Sequence, residues 1–256
     1  MFGYAQAFRG GFVLYSRETE LNHRRRSVKL YLVSGWATKS TVWKPVLKIL
    51  PDKLDIEPVE WPEAIDGDLD RRIAENTERC IVAGWSMGGQ IALRAAELNP
   101  GKIAGLFLAS SMCCLVERAG RPGVSRDIPE KIRVLLERNR KVYLRAFFEQ
   151  CLCPAKDTCI IENLLEESDS ISMESLMSGL EYMIHTDAGL TPDIPLMMVH
   201  GRDDRVIPPE CSEYIMRNTS LSRGAYIENA GHLLPLVKPE IVGDLLNELI
   251  EYCIAL

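Results

Sequence analysis

No run of about 18 apolar residues occurs in the 256-residue chain, which excludes a helix long and apolar enough to cross a membrane. Met1 to Arg9 lacks the basic stretch and apolar core that mark a secretion signal, so a soluble, cytoplasmic protein is expected. Positive charge is not in excess. A net charge of −6 supplies neither a field for nucleic acid nor a polybasic anchor for a membrane surface. Repeats and low-complexity tracts are missing. Histidine is scarce, with only four residues, and that makes each one informative. Cysteine is not scarce, but eight cysteines without a secretion signal predict buried, unpaired thiols rather than disulfides. Cys113-Cys114 and Cys151-Leu152-Cys153 are too close together, and too poor in nearby histidine, to match zinc spacings. Neither a metal nor a cofactor is expected.

A hydrophobic content of 46% in a chain of this length can bury one large α/β core. Strand and helix patterns alternate from Val28 onward, the signature of a doubly wound, mostly parallel sheet. Val28 to Ser34, Asp55 to Glu60 and Ile103 to Ala109 read as strands, and Thr41 to Leu50 and Asp66 to Asn76 as helices. Between Ser110 and Pro192 the alternation breaks into helical patterns, including Ile128 to Gln150 and Met173 to Ile184. Residues 1–112 and 193–256 are therefore expected to form the core, and 113–192 a helical lid inserted above the sheet edge. The first 27 residues carry no clear pattern, although Gly10-Gly11 suits a hairpin turn.

Chemistry is announced by Gly84-Trp85-Ser86-Met87-Gly88-Gly89. The β-suited Cys80-Ile81-Val82-Ala83 precedes it, and Gln90 to Leu98, with apolar residues at helical spacing, follows it before Asn99-Pro100-Gly101. A serine on so sharp a strand-to-helix turn is held at strained backbone angles, and its neighbours must be small. The turn presents Ser86 at a helix N-terminus with free N–H groups.

A serine nucleophile needs a base, and the base an orienting acid. His23 lies in an Arg-rich stretch suited to solvent, His185 in a helix-like segment, and His200 at a strand end where packing or a structural hydrogen bond accounts for it. His232 alone follows a late strand, Ala225 to Asn229, and a small-residue turn. The acid is offered by the loop after the apolar run Ile194 to Val199, where Asp203 and Asp204 both stand.

Taken together, these segments resemble the α/β-hydrolase fold, whose triad follows the chain order Ser, Asp, His. Within it the chain is similar to the pimeloyl-[acyl-carrier protein] methyl ester carboxylesterases of biotin synthesis. The likeness is carried by Gly84-Trp85-Ser86-Met87-Gly88-Gly89, Ser34-Gly35-Trp36-Ala37 with Val42-Trp43, and Ala109-Ser110-Ser111-Met112-Cys113 with Arg121-Pro122-Gly123-Val124. It spans residues 28 to 252. The family's loop spacing, Gly201-x-x-Asp204-x-x-Ile207-Pro208, implies Asp204 as the acid and Asp203 as a loop residue. Two departures stand out: Ser34 replaces a histidine, and Trp61-Pro62-Glu63-Ala64 replaces a glycine-rich loop.

The resemblance implies a serine carboxylesterase in which Ser86 attacks, His232 moves the proton and Asp204 orients His232. The backbone N–H groups of Trp36 and Met87 would hold the oxyanion, and Phe147 would line an acyl tunnel. For the Trp36 and Trp85 side chains, core packing and acyl contact stand equal. Arg138, Lys141 and Arg145, at helical spacing i, i+3 and i+7, with Arg140 nearby, form either a solvated face or a docking face for an acidic carrier protein. The implied substrate is an acyl-carrier-protein-bound methyl ester, with small esters as further substrates and a monomer as the working unit. A general carboxylesterase, thioesterase or C–C bond hydrolase of the same fold is the alternative. A non-catalytic binding module is a third reading, which a complete Ser, Asp, His set disfavours.

Overall fold

Apolar runs with no polar alternation become central strands here because helices cover them on both sides. The computed structural model describes residues 6–8, 28–190 and 193–256. Strands β1 (Gln6–Phe8), β2 (Lys29–Val33), β3 (Asp55–Val59), β4 (Cys80–Trp85), β5 (Ile103–Ala109), β6 (Leu196–Gly201) and β7 (Ser222–Ile227) form one sheet in the order β1-β7-β6-β5-β4-β2-β3. Every pairing is parallel except β1 on β7. All residues of β4, β5 and β6 are buried. The hairpin expected at Gly10-Gly11, and His23, lie outside the described residues.

The connecting helices are α1 (Lys44–Leu47), α2 (Trp61–Ile65), α3 (Asp68–Glu75), α4 (Met87–Leu98), α8 (Glu210–Arg217), α9 (Leu234–Val237) and α10 (Pro239–Ala255). Helix α10 packs on β5, β6 and α1, while α4 packs on β4, β5 and α3, so the sheet is sandwiched. Between β5 and β6 the chain forms α5 (Ile128–Leu152), α6 (Thr158–Ser168) and α7 (Met173–His185), with α7 lying on α2 and α5.

The chain runs outward from β2 to β3 and returns to the other side of β2 at β4. Such a reversal opens a crevice at the carboxyl ends of the strands. The loops after β2, β4, β6 and β7 carry Trp36, Ser86, Asp204 and His232 respectively, so one edge of the sheet collects all four.

Two expectations needed correction. The helix foreseen over Thr41 to Leu50 is a 3-10 turn, Ser40–Trp43, followed by the single turn of α1, because Pro45 sits at its start. Trp61-Pro62-Glu63-Ala64, which stands in place of the family's glycine-rich loop, forms α2, with Pro62 in its first turn and the Trp61 indole donating to the Thr38 carbonyl at 3.1 Å. Helix α5 is also broken at Asn139 (φ −164°, ψ 93°), whose side chain accepts from Val142 N at 3.1 Å and caps a new helical segment. Arg138 therefore precedes the break, and the i, i+3, i+7 face assumed for Arg138, Lys141 and Arg145 does not exist.

Candidate active site

Ser86 owes its conformation to the turn between β4 and α4. Its φ of 56° and ψ of −122° lie where side chains other than glycine are strained, and the surroundings must impose them. Its N–H is fixed on the Ala109 carbonyl at 2.9 Å, and its carbonyl accepts from Ser111 Oγ at 2.8 Å. A Cβ at Gly84 would overlap the Gly88 carbonyl, and one at Gly88 would overlap the Val33 carbonyl. Only glycine at both positions lets β4, α4 and β2 approach this closely.

Held there, Ser86 Oγ lies 2.9 Å from His232 Nε2, and His232 Nδ1 lies 2.7 Å from Asp204 Oδ2. The His232 and Asp204 side chains are fully buried. Trp85 donates its indole N–H to the His232 carbonyl at 2.7 Å and packs on its ring, with centroids 5.2 Å apart. From the other side the end of α5 braces the histidine loop, with Leu233 N donating to the Cys151 carbonyl at 3.1 Å. Asp203 N donates to the Ala230 carbonyl at 2.9 Å, joining the loops that carry Asp204 and His232, while the Asp203 side chain faces solvent.

Asp204 is more heavily ligated than an orienting carboxylate requires. Oδ1 accepts from Val206 N at 2.8 Å and Ile207 N at 3.0 Å, closing the loop as an Asx turn. Oδ2 faces His232 and also His200 Nε2 at 3.0 Å. Burial alone would raise the proton affinity of Asp204, but the two imidazoles outweigh it and hold the carboxyl well below the usual carboxylate range. Sequence reading assigned His200 to structure and missed this contact. The signal available was its place at the strand end, four residues before the acid.

The loop after β2 closes over the serine. A Cβ at Gly35 would stand 2.7 Å from the Trp85 ring and 3.2 Å from Ser86 Cβ, which puts the Gly35-Trp36 backbone against Ser86. Met87 is the first residue of α4, so its N–H has no intrahelical acceptor. Ser34, in place of the family's histidine, is buried and donates to Glu60 Oε2 at 3.4 Å.

Above Ser86 lies a cavity of about 300 Å³ lined by Trp36, Leu115, Ile132, Tyr143, Phe147 and Leu180 among others. The two tryptophans thus divide: Trp85 packs beneath His232, and Trp36 faces the cavity with its N–H bonded to the Leu176 carbonyl at 2.8 Å. Trp36 meets Phe147 edge-on, with centroids 5.4 Å apart. Burial raises the pKa of the Tyr143 hydroxyl above its ordinary value. Arg145 is paired with Glu162 at 2.8 Å, and the Arg140 guanidinium donates to the Ser168 carbonyl, whereas Arg138 and Lys141 are exposed. Among the described residues, no group of three or more His, Cys, Asp or Glu could hold a metal ion, and no helix is long and apolar enough to cross a membrane.

A sequence model described as the alpha/beta hydrolase family matches residues 30–245. A protein of Wigglesworthia glossinidia brevipalpis named pimeloyl-[acyl-carrier protein] methyl ester esterase is 25% identical over 225 residues, which cover 80% of this chain and 87% of that protein. A protein of the same name from Nitrosomonas europaea is 26% identical over 233 residues, covering 82% and 91%. Among solved structures, an esterase of Exiguobacterium antarcticum superposes with a TM-score of 0.77 at 19% identity, covering 98% of this chain and 94% of its own. That degree of likeness speaks for the fold.

Proposed function

Because the chain belongs to the alpha/beta hydrolase family, we propose that it is a serine carboxylesterase that hydrolyses the methyl ester of a pimeloyl group carried on acyl carrier protein. The observation that carries this reading is the continuous hydrogen-bonded series from Ser86 Oγ through His232 to Asp204 Oδ2 beneath an apolar cavity. Substrate class is supported by the relatives named as pimeloyl-[acyl-carrier protein] methyl ester esterases.

His232 Nε2 takes the Ser86 proton as Oγ attacks the ester carbonyl, and the negative charge passes to the carbonyl oxygen. The N–H groups of Trp36 and Met87 receive that oxygen, and losing one such donor typically costs about 10² to 10³ in kcat. The tetrahedral adduct collapses to an acyl-Ser86 ester, and His232 gives the proton to the departing methanol. Water, deprotonated by the same imidazole, attacks the acyl-enzyme and releases the carboxylic acid. Asp204 stays ionised throughout, holding the Nδ1–H tautomer and offsetting the charge of the imidazolium.

Phe147, Trp36 and Leu180 shelter the acyl chain, and residues 113–192 act as a lid over the core formed by 1–112 and 193–256. Arg138 and Lys141 are exposed lid cations suited to an acidic carrier. The cellular test is complementation: expression of this chain should restore growth without biotin to a strain lacking its carboxylesterase. Failure to restore growth, with folded protein present, would point to the alternative, a general esterase of the same fold.

A further inference from the structure

Beside the Tyr143 hydroxyl and the Trp36 indole, whose N–H is bonded to the Leu176 carbonyl, the catalytic cavity is lined by four polar side chains, Ser86, Gln150, Lys131 and Arg205. Two of these four are charged, and both are cations. No carboxylate lines the cavity. In a pocket that is otherwise hydrophobic, a few polar groups fix which end of a ligand goes where. Ser86 accounts for the end at which the ester reacts. The two cations mark an end of different chemistry.

Arg205 is the stronger of the pair. It follows Asp204 directly, and its backbone is pinned from both sides: Asp204 Oδ1 holds the next two N–H groups, and Gln150 Nε2 on α5 donates to the Arg205 carbonyl at 2.6 Å. Its guanidinium is exposed and makes no ion pair among the described residues. Lys131, in the first turn of α5, is bridged to Asp127, which offsets part of its charge. The other anions near Arg205 compete weakly. Asp204 is buried and faces two imidazoles, and Asp203 points to solvent. A fixed backbone carrying an unpaired guanidinium at the cavity wall keeps a planar donor fork within reach of an anionic oxygen group.

We propose that Arg205, assisted by Lys131, selects acyl esters whose end remote from the scissile ester bears an anion, either a carboxylate or the phosphate of a pantetheine arm. This inference rests on the esterase reading and adds to it a specificity-determining residue. The guanidinium donates to the anion at the rim while the methylene chain lies along Ile132, Tyr143 and Phe147, so the ester carbonyl is delivered to Ser86 in one orientation.

The test compares kcat/KM, per ester group, within two pairs of substrates. The first pair is monomethyl pimelate against neutral dimethyl pimelate. The second is the methyl pimeloyl thioester of 4′-phosphopantetheine against that of pantetheine. Wild type should favour the anionic member of at least one pair by about fivefold or more, as a solvent-facing charge pair allows, and high salt should shrink the preference. Arg205→Gln should abolish that preference, Arg205→Lys should keep part of it, and Arg205→Glu should invert it. A preference in the first pair identifies the carboxylate as the anion, and one in the second identifies the phosphate. Equal rates in both pairs, or a preference that survives Arg205→Gln, would overturn the anion site and leave the esterase reading standing. Absence of hydrolysis with all four esters would overturn both.

Discussion

His200 Nε2 stands 3.0 Å from Asp204 Oδ2, the oxygen that also faces His232 Nδ1 at 2.7 Å. Ser212 Oγ lies against His200 Nδ1 and can donate to it, which leaves the His200 proton on Nε2, shared between Asp204 and the Ile207 carbonyl at 3.1 Å. One buried carboxylate oxygen is thus held by two imidazoles. His200 acts as a positioning residue, fixing the carboxylate and sharing its charge.

His200→Phe should therefore cost on the order of 2 kcal/mol of stability, the usual loss when a hydrogen bond to a buried charge is removed. With one of the two imidazoles that hold its carboxyl down removed, Asp204 should take up a proton at higher pH, so the acid limb of the pH profile of kcat/KM should move to higher pH. His200→Gln, which can still donate, should recover much of both. Urea melts and a pH–rate profile check this; unchanged values in His200→Phe would make the contact incidental.

The adjacent aspartates give a sharper contrast. Asp204→Asn presents an amide where a carboxylate fixed the tautomer, and kcat should fall by about 10⁴. Asp203→Asn alters a solvent-facing side chain and should stay within a few-fold of wild type. Steady-state kinetics on any turned-over ester separate them, and the reverse ranking would move the acid by one position.

Thiol reactivity follows burial, since the thiolate is the reacting species. Burial pushes the Cys80 pKa to about 11, those of Cys113 and Cys253 to about 12, and that of Cys151 well above its ordinary value. Cys159 alone is exposed, and Cys153 is half-buried. Titration with a disulfide reagent at pH 8 should find one fast thiol and one slower thiol in the native protein, and all eight after denaturation. Rapid reaction of four or more in the native state would contradict the packing.

What could be read from the chain followed from local pattern. Ile103–Ala109 matches its expected strand at both ends because a wholly buried strand is a bare apolar run between turns. The serine turn was legible because glycine is compulsory where three elements meet. The lid was harder. Helix α6 was not singled out although Asp157 caps it by accepting from Cys159 N and Ile160 N, a signal that the sequence does carry. The break at Asn139 was invisible, since asparagine inside a helical pattern reads as a weak helix former until its side chain is seen to cap Val142. His200 and Arg205 escaped for another reason. Their roles depend on where Asp204 and α5 lie in space, of which the place of His200 four residues before Asp204 is only a partial signal.

That break also changes the carrier-docking test. Arg145 is committed to Glu162, so reversing it would disturb the contact between α5 and α6. Reversing only Arg138 and Lys141 to Glu should raise KM for the carrier-bound ester tenfold or more, because rim charges govern encounter with a charged partner. Turnover of a small neutral ester should be unaffected. Equal KM values for variant and wild type on the carrier-bound ester would return these cations to ordinary solvated surface.

The central claim is tested most directly by incubating methyl pimeloyl-acyl carrier protein with wild type and with Ser86→Ala, and following the loss of the methyl group by mass spectrometry. The account predicts conversion to the free carboxylic acid with the carrier thioester intact, and a fall in kcat approaching about 10⁶ in Ser86→Ala at unchanged circular dichroism. An intact methyl ester after incubation with wild type, or a Ser86→Ala rate within tenfold of wild type, would contradict it.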